Sequence, residues 1–310
     1  MTRGRQGAEM MVRHLMGLVA VVAALAGNTV QAQNADLRWK LQPGDTLHYV
    51  VDQNMTTILD VKGNVNTIRS ANRLFMTWEV TGRSSSGDDY IVGQSIDRVI
   101  MKMEGGPAGL IEFDTASADA PKSPAAQLMS SVFRRIVGQS FVVTMAPSGA
   151  IRDVKIPAGL MDAIIETQGG ASNQAPLISE DMMKQMMEQA AVTLPGKDTA
   201  PGTSWRTSQV VDMPLGRMTV SSLLKLQAVN AQTGSAMIHV TPSVSIVPRD
   251  DAPQTLELKD SKGQGTLVFN TTTGRITEST LNLTINMDVT QFGELVKQTT
   301  QQVVTMKLQP

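Results

Sequence analysis

The sequence contains no cysteine and only three histidines. Without cysteine there is no disulfide framework, no thiolate metal site, no thiol nucleophile and no cysteine for a lipid anchor. One histidine, His14, falls in the leader described below. The other two, His48 and His239, each sit between apolar residues of an alternating stretch, which turns them to the more polar side. Two histidines without carboxylates at ligand spacing fall short of a zinc site. A Ser-His-Asp triad would have to recruit one of them, and no G-x-S-x-G elbow is present. Aromatic residues make up only 4% of the chain. No block of like charges stands out, which argues against a nucleic-acid surface or an anionic-membrane patch.

The first 32 residues read as a secretory leader. Arg13 and His14 precede the apolar run Leu15–Ala26, and Val30-Gln31-Ala32 supplies small residues for cleavage after Ala32. The run is too short to remain as a membrane span. The segment MTRGRQGAE fits a leader poorly, so Met10 and Met11 are alternative starts to Met1. The expected product, Gln33–Pro310, is exported to the periplasm or the medium and soluble. Without the three Arg and one Glu of the leader it carries 24 basic and 27 acidic side chains. A chain of this length buries roughly three quarters of its unfolded surface and needs no metal or disulfide to hold a core.

What the chain has is alternation. Leu47, Tyr49 and Val51 share one face of a stretch beginning at Thr46. Ile68, Leu74, Met76, Trp78 and Val80 share one face of the next, with a break at Ser70 and Asn72. Such patterning predicts half-buried strands joined at Lys62-Gly63-Asn64. Strands this long must twist, coil or bend at bulges, so the sheet is expected to be strongly curved. Three helices are expected near 124–137, 157–168 and 179–192. Ser123 and Pro124 supply the cap and first residue of the first helix, Pro157 opens the second, and Ser179 caps the third. LPGKDTAPGTSW reads as a linker, and the second half returns to strands.

One pattern occurs twice. In FVVTMAPSGAIRDVKIP, Gly149, Ile151 and Asp153 match Gly274, Ile276 and Glu278 of LVFNTTTGRITESTLNL. Pro43-Gly44 is likewise matched by Pro201-Gly202, and Gly87 by Gly234. The order is kept while the offset shrinks, which predicts one β-meander duplicated, with a helical insertion in the first copy. The expected division is 33–193 for the first copy and 194–310 for the second. The Pro-Ser-Gly turn is therefore expected to be a scaffold hairpin, with glycine at a positive φ.

Candidate chemistry is sparse. Asp88-Asp89 and Asp250-Asp251 are adjacent loop carboxylates, a pattern that suits turns better than metal or acid–base work. Gly263-x-Gly265 precedes an alternating run instead of a helix, so it is no phosphate loop. Met182, Met183, Met186 and Met187 form the candidate ligand-binding face. Their spacing fits an apolar helical face, an adaptable ligand surface, or thioether ligation of Cu(I) through Met183 and Met186. No catalytic residue, resident metal or cofactor is expected.

The stretches LRWKLQPGDTLHYVVDQ, SIDRVIMKMEG, FVVTMAPSGAIRDVKIP and LPGKDTAPGTSW resemble an uncharacterised family of exported proteins, a domain of unknown function abundant in planctomycete-like bacteria. The resemblance spans nearly all of the chain after the leader and implies no activity. More loosely, long curved strands with apolar helices are similar to periplasmic lipoprotein carriers, which implies helices against the concave face of an incomplete barrel. The expected fold is mainly β with an α+β minority: two tandem antiparallel meanders forming curved sheets or an open barrel, with two or three short helices over one face. The expected function is a non-catalytic binding protein of the cell envelope, holding an apolar or lipid-like ligand between sheet and helices. The alternative is a protein–protein interaction or structural module whose partner is another envelope protein. Neither reading involves nucleic acid or a membrane span.

Overall fold

The computed structural model describes residues 34–310 except 107–108, 168–179, 181–183, 185–186, 188–191, 214–215, 250–253 and 292–293. The leader, Asp250-Asp251 and Met182, Met183 and Met186 lie outside the described residues. The strands begin with β1 (Ala35–Leu37), β2 (Thr46–Val61), β3 (Asn64–Arg83), β4 (Tyr90–Glu104), β5 (Ile111–Asp114), β6 (Ser140–Met145) and β7 (Ile151–Lys155). Then come β8 (Gly196–Thr199), β9 (Ser204–Met213), β10 (Gly216–Asn230), β11 (Ser235–Pro248), β12 (Gln254–Asn270), β13 (Arg275–Gln291) and β14 (Glu294–Leu308). Helix α1 spans Pro124–Ile136 and α2 spans Leu160–Thr167.

The alternating runs form one antiparallel sheet in the order β7-β6-β4-β3-β2-β14-β13-β12-β11-β10-β9, with β5 beside β4. The turn joining β2 to β3 is the two-residue hairpin expected at Lys62-Gly63. Both residues are left-handed, at φ 53° and 88°, which matches the twist of the flanking strands. Strand β14 is antiparallel to both β2 and β13, so those two run parallel to each other. Two five-strand groups therefore lie side by side in the same sense.

The two groups share local bonding. Gly44 N donates to Val80 O and Val80 N to Asp45 O; Gly202 N donates to Leu226 O and Leu226 N to Thr203 O. The β6–β7 hairpin has a bulge at Thr144/Met145, and the β12–β13 hairpin has one at Val268/Phe269. Both turns grip the same segment: Trp39 N donates to Pro147 O at 2.8 Å, and Lys40 N to Gly274 O at 3.1 Å. The two glycines permit this approach. A Cβ on Gly149 would stand 2.8 Å from Trp39 Nε1, and one on Gly274 2.4 Å from Lys40 N.

That grip fixes the curvature. Trp39 lies in one buried cluster with Val92 of β4 and Val143 of β6, and also with Ile238 of β11 and Phe269 of β12. Five strands separate β4 from β11 in the sheet. Their side chains share one buried cluster only because the sheet curls, so the face bearing Leu47 and Tyr49 is concave. The sheet does not close, because β7 and β9 end the order without pairing to each other.

Both helices sit on the concave side, over β4, β5 and β6. Helix α1 packs Ala126, Met129 and Phe133 on Val99, Ile111 and Phe113. Its Val132 and Ile136 join Phe141 and the α2 residues Leu160 and Ile164. Ser123 caps α1 as expected, its Oγ accepting from Ala126 N at 3.2 Å. At the expected third helix, Glu180, Lys184 and Met187 are helical.

Ser70 and Asn72 interrupt the apolar alternation as expected, and β3 continues through both with each on the inward row. Two expectations need correction. Part of the 194–205 linker is strand β8, whose Thr199 and Gly196 pair with Ala35 and Leu37 of β1. Gly263 and Gly265 lie within β12 instead of preceding a strand.

Candidate functional site: an uncharged concave face

The core fills only one end of the curved sheet. From Tyr49, the inward row of β2 continues through Val51, Gln53, Met55, Thr57, Leu59 and Val61, and all six are half-buried. The β2–β14–β13 register sets Val51 beside Met306 and Ser279, and Thr57 beside Thr300 and Ile285. The inward row of β13 is therefore Leu281, Leu283, Ile285, Met287 and Val289. Its outward row is Asn282, Thr284, Asn286, Asp288 and Thr290. Leu256 and Leu258 of β12 extend the apolar row opposite Val289 and Met287.

None of these five β13 side chains belongs to a buried cluster, and each stays half-buried. Alternation this regular is what a sheet with one wet face and one covered face shows. Here no described element packs on the apolar face of β13.

Charge is sorted just as sharply. Among the described residues, the inward rows of β2 from Val51 to Val61, β3 from Asn66 to Met76, β13 from Leu281 to Val289 and β14 from Val296 to Met306 contain no ionisable side chain. The charged residues of these strands point outward and pair there. Arg73 meets Asp52, Lys307 meets Glu278, and Lys259 meets Glu257 and Asp288. Arg98 and Asp114 make a two-bond contact that holds the Asp114 carboxyl below its ordinary range.

Two glycines shape the floor of the face. A Cβ on Gly265 would lie 2.4 Å from Thr280 O and 3.0 Å from Leu281 Cδ1. One on Gly263 would lie 2.3 Å from Pro242 Cγ. Bare backbone at these positions lets neighbouring side chains and strands approach closely, a common reason for glycine inside a strand.

Of the four methionines singled out from sequence, Met187 lies among the described residues. Met187 is half-buried between the cluster around Trp39 and the one around Ile164. The described residues thus bring together only this one of the four helix methionines. The concave rows hold other methionines, Met55, Met101, Met103, Met287 and Met306. Alternation could have pointed to Met55, Met287 and Met306, which keep the phase of their strands, whereas a bulge in β4 shifts the phase before Met101 and Met103.

His48 lies on the outward face, where its Nδ1 is 2.9 Å from Thr77 Oγ1. Thr77 donates its proton to Asp97 at 2.6 Å, so Nδ1 is the donor in the first contact. This exposed chain lies in no cleft. His239 pairs with Lys225 and Thr266 on the same outward side. Asp88 and Asp89 serve a turn, where Ser84 N donates to Asp89 O. Among the described residues no group of three His, Asp or Glu is placed to hold a metal ion. None of the described helices is long and apolar enough to cross a membrane.

Two shallow clefts of about 360 Å³ lie away from this face, at the core end. One is bordered by Arg38, Lys40, Arg83 and Tyr90, where Arg83 lies over the Tyr90 ring at 4.1 Å and donates to Leu41 O. The other lies in the open seam, between Ile151 of β7 and Arg206–Gln209 of β9. Both are lined partly by charged or polar groups already engaged locally.

Fold and face together define a class: an open, curved antiparallel sheet with helices inside and an uncharged inner surface. Residues 87–291, about two thirds of the sequence, match a family of unknown function (DUF6263), and the chain belongs to that family. No curated protein matches it. Solved structures with a similar strand arrangement include one titled for lipid–protein interactions in lipovitellin, at 12% identity and a TM-score of 0.48. It aligns with 87% of this chain, which spans about a quarter (26%) of that chain's length. An outer membrane channel from Pseudomonas putida F1 aligns over 88% of this chain and 98% of its own, at 10% identity and a TM-score of 0.26. A DUF1329 family protein from Desulfovibrio piger aligns over 82% of this chain and 83% of its own, at 11% identity and a TM-score of 0.15.

Proposed function

We propose that the protein is an exported, non-catalytic binding protein of the cell envelope whose concave face holds an apolar, lipid-like ligand. The observation that carries this reading is the inward row Leu281–Val289, apolar at every second position and half-exposed beyond the core. An apolar surface left open in an otherwise packed molecule marks a binding surface more often than chance. The helices α1 and α2 and Met187 stand at one side of the face, so a ligand lying on β13 and β14 would be flanked by them.

Magnitudes set the ligand's size. Burial is worth about 0.8 kcal/mol per methylene, while association costs about 4–15 kcal/mol in lost freedom. About a dozen methylenes are therefore needed before binding is useful, which points to a long acyl or alkyl chain. The bonds shared by the two strand groups support reading 33–193 and 194–310 as two copies of one meander, with the ligand face formed where β14 joins them.

The test is native mass spectrometry of the chain from Gln33, purified without detergent from an exporting host. An adduct removed by organic extraction is expected, and it should be lost in Ile285→Lys while persisting in the outward control Thr284→Lys. A clean apo mass that incubation with envelope lipids leaves unchanged would sink this reading and favour a protein partner.

A further inference from the structure

The concave face is divided lengthwise. On its β13 side the row Leu281–Val289 is apolar, whereas the inward rows of β14, β2 and β3 carry a stripe of uncharged polar groups. At successive levels of the register, Gln53 adjoins Asn72, Gln302 lies across Met55 from Ser70, Thr300 adjoins Thr57, and Gln298 adjoins Leu59. Gln298 Nε2 donates to Thr300 Oγ1 at 3.2 Å, and the Thr57 and Thr300 hydroxyls stand 3.5 Å apart. The Asn72 Oδ1 atom is buried with no hydrogen-bond partner.

This stripe is costly where it stands. An amide offers two donors and two acceptor lone pairs; Gln298 spends one donor on Thr300, and Asn72 Oδ1 is unbonded. Inward polar groups destabilise a fold unless they are satisfied, so their presence on an otherwise apolar face calls for a partner. Among the described residues, the inward rows of β2, β3, β13 and β14 carry no cation or anion. A carboxylate or phosphate entering it would lose its hydration with no countercharge to replace it.

We propose that the face selects an uncharged long-chain ester, a free monoacylglycerol-type amphiphile. The chain lies on Leu283, Ile285 and Met287, and the ester and hydroxyl groups bond to Gln298, Thr300 and Gln302. This rests on the apolar-ligand reading above and deepens it. The neutral head exchanges hydrogen bonds with water for bonds to amides and hydroxyls, whereas an ionised head has no equivalent exchange. Selectivity therefore arises from what the face lacks as much as from what it presents.

The experiment is displacement of a fluorescent apolar probe from the full chain at pH 8, below micellar concentrations. The competitors are monolauroylglycerol and laurate, which share a chain length and differ in head charge. Wild type is expected to prefer the ester by at least about tenfold, the size of one or two well-made hydrogen bonds. The double variant Gln298→Leu/Gln302→Leu is expected to lose that preference while still taking up the probe. Thr300→Val, nearly isosteric, should lower it in part. Ile285→Lys should abolish uptake of the probe itself. Equal competition by laurate and ester in wild type, or an ester preference unchanged in the double variant, overturns the selectivity while leaving the apolar site standing. Failure of wild type to take up the probe overturns both.

Discussion

Tyr49 on β2 donates its hydroxyl to the carbonyl of Ile276 on β13, at 3.0 Å. The two residues belong to different strand groups, and β14 ends beside them with Leu308 opposite Tyr49. The phenol is buried, at 1% exposure, and burial raises its pKa, so it stays a neutral donor. A side chain thus replaces the ladder bond that β14 no longer supplies.

Removing that hydroxyl in Tyr49→Phe leaves a buried carbonyl without its partner. The expected loss is about 1–3 kcal/mol. Urea unfolding should show a lower midpoint with an unchanged slope. A midpoint equal to wild type would mean that water replaces the phenol.

The glycines separate two kinds of cost. Gly44 and Gly63 have positive φ with nothing within 4 Å of a built Cβ. Alanine there should cost only backbone strain, about 1–2 kcal/mol. Gly149→Ala and Gly274→Ala add collisions with the Val192 carbonyl and with the Lys40 backbone, each at 2.4 Å. These two should lower the melting temperature further than the first pair, or fail to accumulate at all. Four equal shifts in a thermal-melt series would refute the clamp on Trp39 and Lys40.

Acid should destabilise the fold through specific carboxylates. The guanidinium of Arg38 holds Asp36 below the ordinary 3.8, and that of Arg98 does the same for Asp114. Lys62 lowers Glu294 from 4.5. Each of these groups has a folded pKa below its unfolded one. Its contribution is therefore complete above about pH 5, and it is lost as pH falls through the depressed folded value. Melting temperature should fall between pH 4 and pH 2, less steeply in Asp114→Asn and at high salt. No flattening in that variant would exclude the Arg98 pair as a source.

Helix α1 depends on one hydroxyl. Ser123 Oγ accepts from Ala126 N and donates to Leu110 O at 3.0 Å, joining the helix start to the approach to β5. Ser123→Ala should cost about 0.5–2 kcal/mol, and Ser123→Asp less, since it restores the cap acceptor. Chemical denaturation of the pair checks the order.

Local chemistry made several elements legible in advance. Lys62-Gly63, Ser123-Pro124 and the turns at Gly149 and Gly274 are each specified by a few adjacent residues. Strand β8 was not legible, because GKDT has no apolar alternation and pairs with β1 some 160 residues earlier. The polar residues Ser70 and Asn72 read as a break because alternation presumes that an inward row is core. The site was missed for a related reason. Alternation in LNLTINMDV separates two faces but does not say which is concave. Trp39 decides that, by gathering β4, β6, β11 and β12 around itself. Met182, Met183, Met186 and Met187, by contrast, are conspicuous from local helical spacing alone.

The place of β14 also sets an order of events during folding. Leu308 pairs with Tyr49 and Val296 with Val61, contacts more than 230 residues apart in the chain. Until β14 arrives, β2 and β13 each present a bare edge, and the small β1–β8 ladder is the sheet pairing that links the two halves among the described residues. Pairings this distant form slowly, and exposed edges recruit other chains in the meantime. Strand β14 follows every other described strand in the chain, which makes the interval before it docks the period of greatest exposure to aggregation.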